Sequence, residues 1–213
     1  MLRPSPLRAF HFTHVDHLPS IARDGLVCDT DAHVPGRLTT EVGNLGVKGQ
    51  RRRREVDVGP GGVVADYVPF YFTARNLMLY QIQTGRVDTY RRGQNGLIFL
   101  CTTLEAVTER GLSWVVSDRN ASTSLARFTS NVADLDRHVD WPLASTPTFD
   151  RTPEDSERPQ RHQAELLVHR AVPWDAVMFI GSRDADDLAR VDAVLGTLKG
   201  YRPGRGVRPG WYF

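Results

Sequence analysis

The stretch Arg161-His162-Gln163-Ala164-Glu165-Leu166-Leu167-Val168-His169-Arg170 sets one carboxylate inside an otherwise apolar run. Its leucine and β-branched content, with Pro173 following, reads as a strand leaving a loop rather than as a long helix. On a strand, Ala164, Leu166 and Val168 take one face while Gln163, Glu165 and Leu167 share the other. A charge on a half-buried strand costs free energy unless it is paired, and such groups gather at functional sites. A solvent-facing glutamate at a sheet edge is the plain alternative, and this stretch alone does not decide between the two.

The 213 residues are 40% hydrophobic and 24% charged, enough for one sizeable core, and no linker divides them, so one domain over 1–213 is expected. The formal net charge of +2 hides a skew, because Lys48 and Lys199 are the only lysines and the remaining positive charge is guanidinium. Arginine binds phosphates bidentately and stacks on bases, which suits a nucleotide or nucleic-acid ligand. GC-rich codon usage accounts equally for the number of arginines, though not for their positions. Cys28 and Cys101 have no metal-ligand spacing and read as reduced thiols. With no apolar run near membrane length and no apolar leader, a cytoplasmic protein without membrane association is expected.

Outward from the opening stretch, several segments carry secondary-structure signals. Arg8 to His14 alternates as a half-buried strand, followed by a short helix with Asp16 as its cap and Gly25 as its stop. Residues 27–62 read as a long loop carrying Arg51-Arg52-Arg53-Arg54 and ending in the turn Gly59-Pro60-Gly61-Gly62. Strands are expected at 63–73, 96–102, 113–117, 177–180 and, as a closing edge, 207–213. Helices are expected at 75–84, 103–110 and 184–198, with a helix or ordered loop at 118–137 and an exposed loop at 141–162. Strands close in sequence with irregular helices point to a mixed α/β (α+β) fold.

His11, His14 and His17 lie three apart, a spacing that gathers a metal on a helix but not on a strand, so no metal site is expected and His11 reads as a hydrogen-bonding group at a strand end. No serine or cysteine nucleophile pattern is visible. The arginine run, with Arg75, Arg86, Arg91, Arg92, Arg151, Arg158 and Arg161 in expected loops and tyrosine and tryptophan side chains read as exposed, is the footprint of a single-strand nucleic-acid groove; a solvated basic surface is the alternative.

His11-Phe12-Thr13 resembles the His-x-Thr that opens ADP-ribosyltransferase folds of the H-Y-E type, Phe70-Tyr71-Phe72-Thr73-Ala74 resembles the tyrosine segment, and Glu165 resembles the catalytic glutamate. Taken with Gly25-Leu26, Met78-Leu79-Tyr80, Asp140-Trp141 and Trp211-Tyr212-Phe213, the order along nearly the whole chain is similar to the DarT family of DNA ADP-ribosyltransferase toxins. The resemblance implies a split mixed sheet with flanking helices and long substrate loops. It implies transfer of ADP-ribose from NAD to a base, most often thymine, in single-stranded DNA, by a monomeric toxin countered by a DarG-like macrodomain antitoxin. NAD would be held by His11, Phe12, Thr13, Gly25, Leu26 and Tyr71, and DNA by Arg75, Met78, Arg151, Arg158 and Arg161. Glu165 and Arg51 would be catalytic. Where the family shows Lys-x-Arg-Arg this chain has Lys48-Gly49-Gln50-Arg51, which places the functional arginine at Arg51 within the run 51–54.

The chemistry is independently sensible. Parting nicotinamide from ribose builds positive charge on the sugar, which a fixed carboxylate stabilises, and the same carboxylate can take a proton from a ring nitrogen of the acceptor base. Arg51 stays protonated and suits a base carbonyl or a phosphate. An acceptor other than thymine (guanine, RNA or protein), or a non-catalytic single-strand-binding module, remains an alternative from the residues alone.

Overall fold

The computed structural model describes residues 3–33 and 38–213. Among these the strands are β1 (Arg8–His14), β2 (Leu26–Val27), β3 (Tyr67–Tyr71), β4 (Leu97–Thr103), β5 (Trp114–Ser117), β6 (Phe128–Thr129), β7 (Glu165–His169), β8 (Ala171–Val172), β9 (Phe179–Ser182) and β10 (Gly204–Val207). The α-helices are α1 (Leu18–Asp24), α2 (Asp29–Ala32), α3 (Leu45–Arg51), α4 (Leu77–Gln83), α5 (Leu104–Glu109), α6 (Leu135–His138), α7 (Trp141–Ala144), α8 (Arg158–Arg161) and α9 (Ala185–Thr197). Eight strands form one sheet in the order β10-β9-β4-β1-β3-β7-β5-β6, antiparallel except at the β9–β10 edge, and β2 pairs with β8 beside it. The expected mixed α/β architecture with a split sheet is what the chain adopts.

Helix starts follow local chemistry. Asn76, Thr103 and Asp184 accept from the amides of Leu79, Ala106 and Asp187 and so satisfy a free donor at the first turn of α4, α5 and α9. Helices cover both sides of the sheet, and β4 is accordingly buried along its whole length. Ala9, Val68, Ile98, Leu166 and Val168 pack beneath α1, α5 and α9, whereas Phe99 and Cys101 pack with Leu79, Ile82 and Tyr212, and Leu167 packs with Tyr67 and Val115. The alternation read at 164–168 is therefore real, but water touches neither face.

One seam in this sheet is incomplete. All seven residues of β1 pair with β4, yet β1 meets β3 only through Phe10 opposite Tyr71. Past that pair the two strands diverge, while β3 stays fully paired with β7, Tyr71 opposite Glu165. In the gap, Nδ1 of His11 lies 2.8 Å from the carbonyl of Pro69, a side-chain bond where a ladder bond would otherwise run.

Several expected boundaries are corrected. Residues 27–62 are not one loop: α2 and α3 lie within it, and Arg51 ends a helix, where a cation meets the helix dipole favourably. Residues 34–37 of that segment lie outside the described residues. Asp16 is not the cap; the His14 ring accepts its amide at the start of a short 3₁₀ turn. The closing strand is 204–207 rather than 207–213, because Pro209 to Trp211 turns the chain back. The loop at 141–162 carries α7 and α8, and Trp114, Trp141, Tyr67, Tyr90 and Tyr212 are buried rather than exposed, since the core needs their area more than a groove does.

Trp211 lies against β9, where a Cβ on Gly181 would fall 2.1 Å from its ring. Gly181→Ala should therefore lower stability by about 1–3 kcal/mol through overpacking. A thermal melt followed by circular dichroism checks this; an unchanged midpoint would mean that the indole moves aside at no cost.

Candidate active site

Because β1 and β3 part beyond Phe10 and Tyr71, residues from both faces of the sheet look into the same gap. The cleft there, about 250 Å³, is lined by His11, Phe12 and Thr13 from β1, by Tyr67, Pro69 and Tyr71 from β3, and by Gly25 and Leu26 below. Residues from Leu38 to Arg51 close its other side, and Met78 reaches it from α4. Gly25 has φ +83° and a Cβ there would meet the Val172 carbonyl at 2.8 Å, so only glycine lets this wall approach β8.

The hydrogen bonds fix two tautomers. Pro69 offers only a carbonyl, so Nδ1 of His11 carries the proton and Nε2 is left as an acceptor. Burial drives the His11 pKa down to about 4, and the nearby Arg51 charge pushes the same way, so the ring is neutral at physiological pH. His17 Nε2 accepts from the amides of Thr39 and Thr40, so its Nδ1 donates to Thr13 Oγ1 at 2.9 Å. The Thr13 hydroxyl proton is then free to donate. One neutral histidine thus aims the threonine and pins the 39–40 segment beside the cleft.

Glu165 starts β7 with no exposure to water. Its Oε2 takes Arg51 Nη1 at 2.9 Å and its Oε1 takes the Ala121 amide at 3.0 Å, while its own amide donates to Ser117 Oγ. Arg51 stands between this carboxylate and the cleft, and its Nη2 is buried with no partner, a donor held ready for a ligand atom. Of the four consecutive arginines Arg51 alone reaches Glu165; Arg52 pairs with Asp29, and Arg54 bonds the Ala126 carbonyl. Tyr71, opposite Glu165, has its hydroxyl pKa pushed up by burial and then by the Glu165 charge, so it stays protonated. Lys48 bridges Asp29 and Glu41 at 2.8 and 2.6 Å, tying α3 to α2 and to the segment that closes the cleft.

The residues expected to touch DNA are more scattered. Met78 lines the cleft itself. Arg75 stacks over the Phe213 ring at 4.5 Å, on the other side of the Phe10–Tyr71 pair. Arg161 is not free for a phosphate, because Asp155 and Asp140 hold its guanidinium; Arg151 is exposed, and among the described residues neither it nor Arg158 forms an ion pair, though the Arg158 charge acts on Asp155. The histidine triplet does not converge: His11 bonds across the gap, while His14 and His17 meet edge to face at 6.4 Å. Both cysteines are buried and unpaired. Among the described residues no helix is long and apolar enough to cross a membrane.

A split sheet with a glutamate shut in beside the gap and a histidine and threonine on the strand across it is the arrangement that the resemblance to ADP-ribosyltransferases of the H-Y-E type implies. Residues 10–213 match the family described as "ssDNA thymidine ADP-ribosyltransferase, DarT". The chain is 33% identical over 214 residues to the DNA ADP-ribosyl transferase of Mycobacterium tuberculosis, covering 99% of this chain and 91% of that one. It superposes on Thermus sp. 2.9 DarT in complex with ADP-ribosylated ssDNA with a TM-score of 0.92 at 31% identity, covering 100% of this chain and 99% of that one. With the same protein in complex with NAD+ the TM-score is 0.88 at 31% identity, covering 99% of this chain and 100% of that one. The chain belongs to the DarT family. It is an NAD-dependent DNA ADP-ribosyltransferase.

The neutral histidines make a stability prediction. Burial lowers the pKa of His11, His14, His17 and His162, so as pH falls below about 6.5 the unfolded chain takes up protons that the folded chain refuses. Stability should fall steadily from pH 7 toward pH 4, where His11 itself titrates, and urea midpoints measured across that range check it. His17→Ala should weaken this dependence and raise the KM for NAD by loosening Thr13 and the 39–40 segment.

Proposed function

We propose that this chain transfers ADP-ribose from NAD to a thymine of single-stranded DNA, as a monomeric cytoplasmic toxin held in check by a DarG-like macrodomain antitoxin. The whole described chain acts as one catalytic unit. The observation that carries the reading is Glu165: a fully buried carboxylate, answered by Arg51 and the Ala121 amide, directly behind a cleft walled by His11, Thr13 and Tyr71.

In this reading His11 Nε2 accepts a ribose hydroxyl, Thr13 donates beside it, and Phe12, Gly25 and Leu26 shape the remaining NAD surface. Tyr71, neutral and stacked at 6.5 Å on Phe12, forms the wall for nicotinamide. As the bond between nicotinamide and ribose parts, positive charge develops on the sugar and the fixed Glu165 carboxylate stabilises it. Arg51 draws toward the acceptor base through its unpartnered Nη2, polarising a ring carbonyl, and this frees a Glu165 oxygen to take the ring-nitrogen proton. The sugar carbon then bonds to that nitrogen and nicotinamide leaves. Arg75, Met78, Arg151 and Arg158 contact the strand, and Arg161 is assigned to holding the loop before Glu165 instead. A single strand is required because the pairing edge of the base must be exposed.

Glu165→Ala should abolish transfer to DNA while NAD still binds, measured by mass spectrometry of the oligonucleotide and by calorimetry. Since alanine leaves Arg51 buried without its partner, Glu165→Gln serves as the second variant, and wild-type turnover in it would remove Glu165 from the mechanism. The same oligonucleotide annealed to its complement should be modified far more slowly; equal rates would refute the single-strand requirement.

A further inference from the structure

Among the described residues Arg170 is the one non-glycine whose backbone lies in the left-handed region, at φ 63°. It stands where the chain leaves β7 for β8, passing from the main sheet to the small one. Its amide donates to the Asp66 carbonyl and its carbonyl accepts the Cys28 amide, both at 2.8 Å, so the conformation is fixed from two sides. L side chains are strained in this region and glycine is not, yet the position carries a long guanidinium. A strained residue kept where glycine would be relaxed points to a use for its side chain.

That side chain reaches two other elements. Nη2 donates to Asp31 Oδ1 at 2.6 Å and Nη1 to Asp66 Oδ1 at 3.3 Å, and Thr30 Oγ1 donates to the same Asp66 oxygen at 2.9 Å. Thr30 and Asp31 belong to α2, a single turn that buries none of its residues and receives no side-chain cap at Cys28. α3 likewise buries none of its residues. Helices of one or two turns do not hold themselves in water, so polar ties must place both.

The ties close a circuit. Asp29, also on α2, holds Lys48 and Arg52 at 2.8 Å each, on either side of Arg51 in the sequence. Arg51 holds Glu165 at 2.9 Å, at the start of β7, and Arg170 follows the end of the same strand. The two ends of β7 therefore grip α2 and α3 together, through Arg51 at one and Arg170 at the other. Leu26, Val27, Asp29 and Ala32 line the cleft, and Arg170 stands outside that lining.

We propose that Arg170 is a positioning residue for NAD: from outside the site it fixes α2, and with it the wall of the cleft at 26–32. This rests on the reading of the cleft as the NAD site. The guanidinium is 47% exposed and its partners Asp31 and Asp66 are 30% and 20% exposed, so the two ion pairs add little to stability and their loss is felt in where α2 sits.

Arg170→Gly keeps both main-chain bonds, relieves the backbone and removes the guanidinium. Its melting midpoint should stay within about 3 °C of the wild type, because the relieved backbone offsets the lost pairs. Its KM for NAD should rise about three- to tenfold, the range that two half-exposed ion pairs can transmit, with the KM for a single-stranded oligonucleotide unchanged. Arg170→Lys, which keeps the charge, should recover part of the NAD affinity. Asp31→Asn should also raise the KM for NAD, and combining it with Arg170→Gly should be no worse than Arg170→Gly alone, since both remove one contact. An unchanged KM for NAD in folded Arg170→Gly protein would overturn the proposal, and so would a loss of activity that merely tracks a lower melting midpoint. Thr13→Val separates this from the reading of the cleft. If Thr13→Val raises the KM for NAD and Arg170→Gly does not, the brace alone falls; if neither does, the cleft is not the NAD site and the brace falls with it.

Discussion

A glutamate with no access to water must find its counter-charge inside the protein, and Glu165 finds it in Arg51, brought from more than a hundred residues away. Removing one member of a buried ion pair typically costs about 3–5 kcal/mol, because the survivor is left charged and dry. That penalty holds α3 against β7 and, through Lys48 and its two carboxylates, holds the segment from Thr39 to Asn44 beside the cleft. The Ala121 amide adds a donor that cannot titrate. The loop carrying it is braced by Asn120, whose side chain donates to Gln163, and by Ser122, which donates back to Asn120. A pair that secures structure in this way also sets the acid and the arginine of the proposed chemistry at a fixed separation.

The rest of the site is organised by where protons are absent. His11 and His17 are both buried and neutral, and each uses its protonated Nδ1 for structure; His17 Nε2 accepts from two amides, and His11 Nε2 is left as an acceptor. Neutrality follows from desolvation, with nearby cations pushing the same way. A charged ring at either place would repel Arg51 or Lys48 and lose an acceptor. The cleft therefore presents its cationic and neutral hydrogen-bonding groups on separate walls.

Much of this was legible in the chain because it is local. The alternation at 8–14 and the helices at 103–110 and 184–198 are decided by neighbours in sequence, and they appear within a residue of where they are expected. The lone acid at 165 was conspicuous because its surroundings are apolar. What escaped was long-range: α3 looks like loop sequence since its glycines and arginines favour no buried face, and it is ordered by contacts with Glu165, Asp29 and Glu41. His17 stood out only as part of a metal-like spacing, and nothing in the sequence marks a backbone amide at Ala121 as a ligand for an oxygen 44 residues on. The aromatic residues misled because tyrosine and tryptophan serve cores and nucleic-acid grooves alike.

Pro69 gives the gap a permanence that its neighbours could not. Carried two residues past Phe10 and Tyr71, the antiparallel register of β1 and β3 would set Phe12 against Pro69, the position where the next main-chain pair would knit the strands together. An imino ring has no hydrogen to offer there, and His11 already occupies the carbonyl. The seam thus lacks the next main-chain pair at Pro69, and the two halves of the sheet stand apart over the space between them.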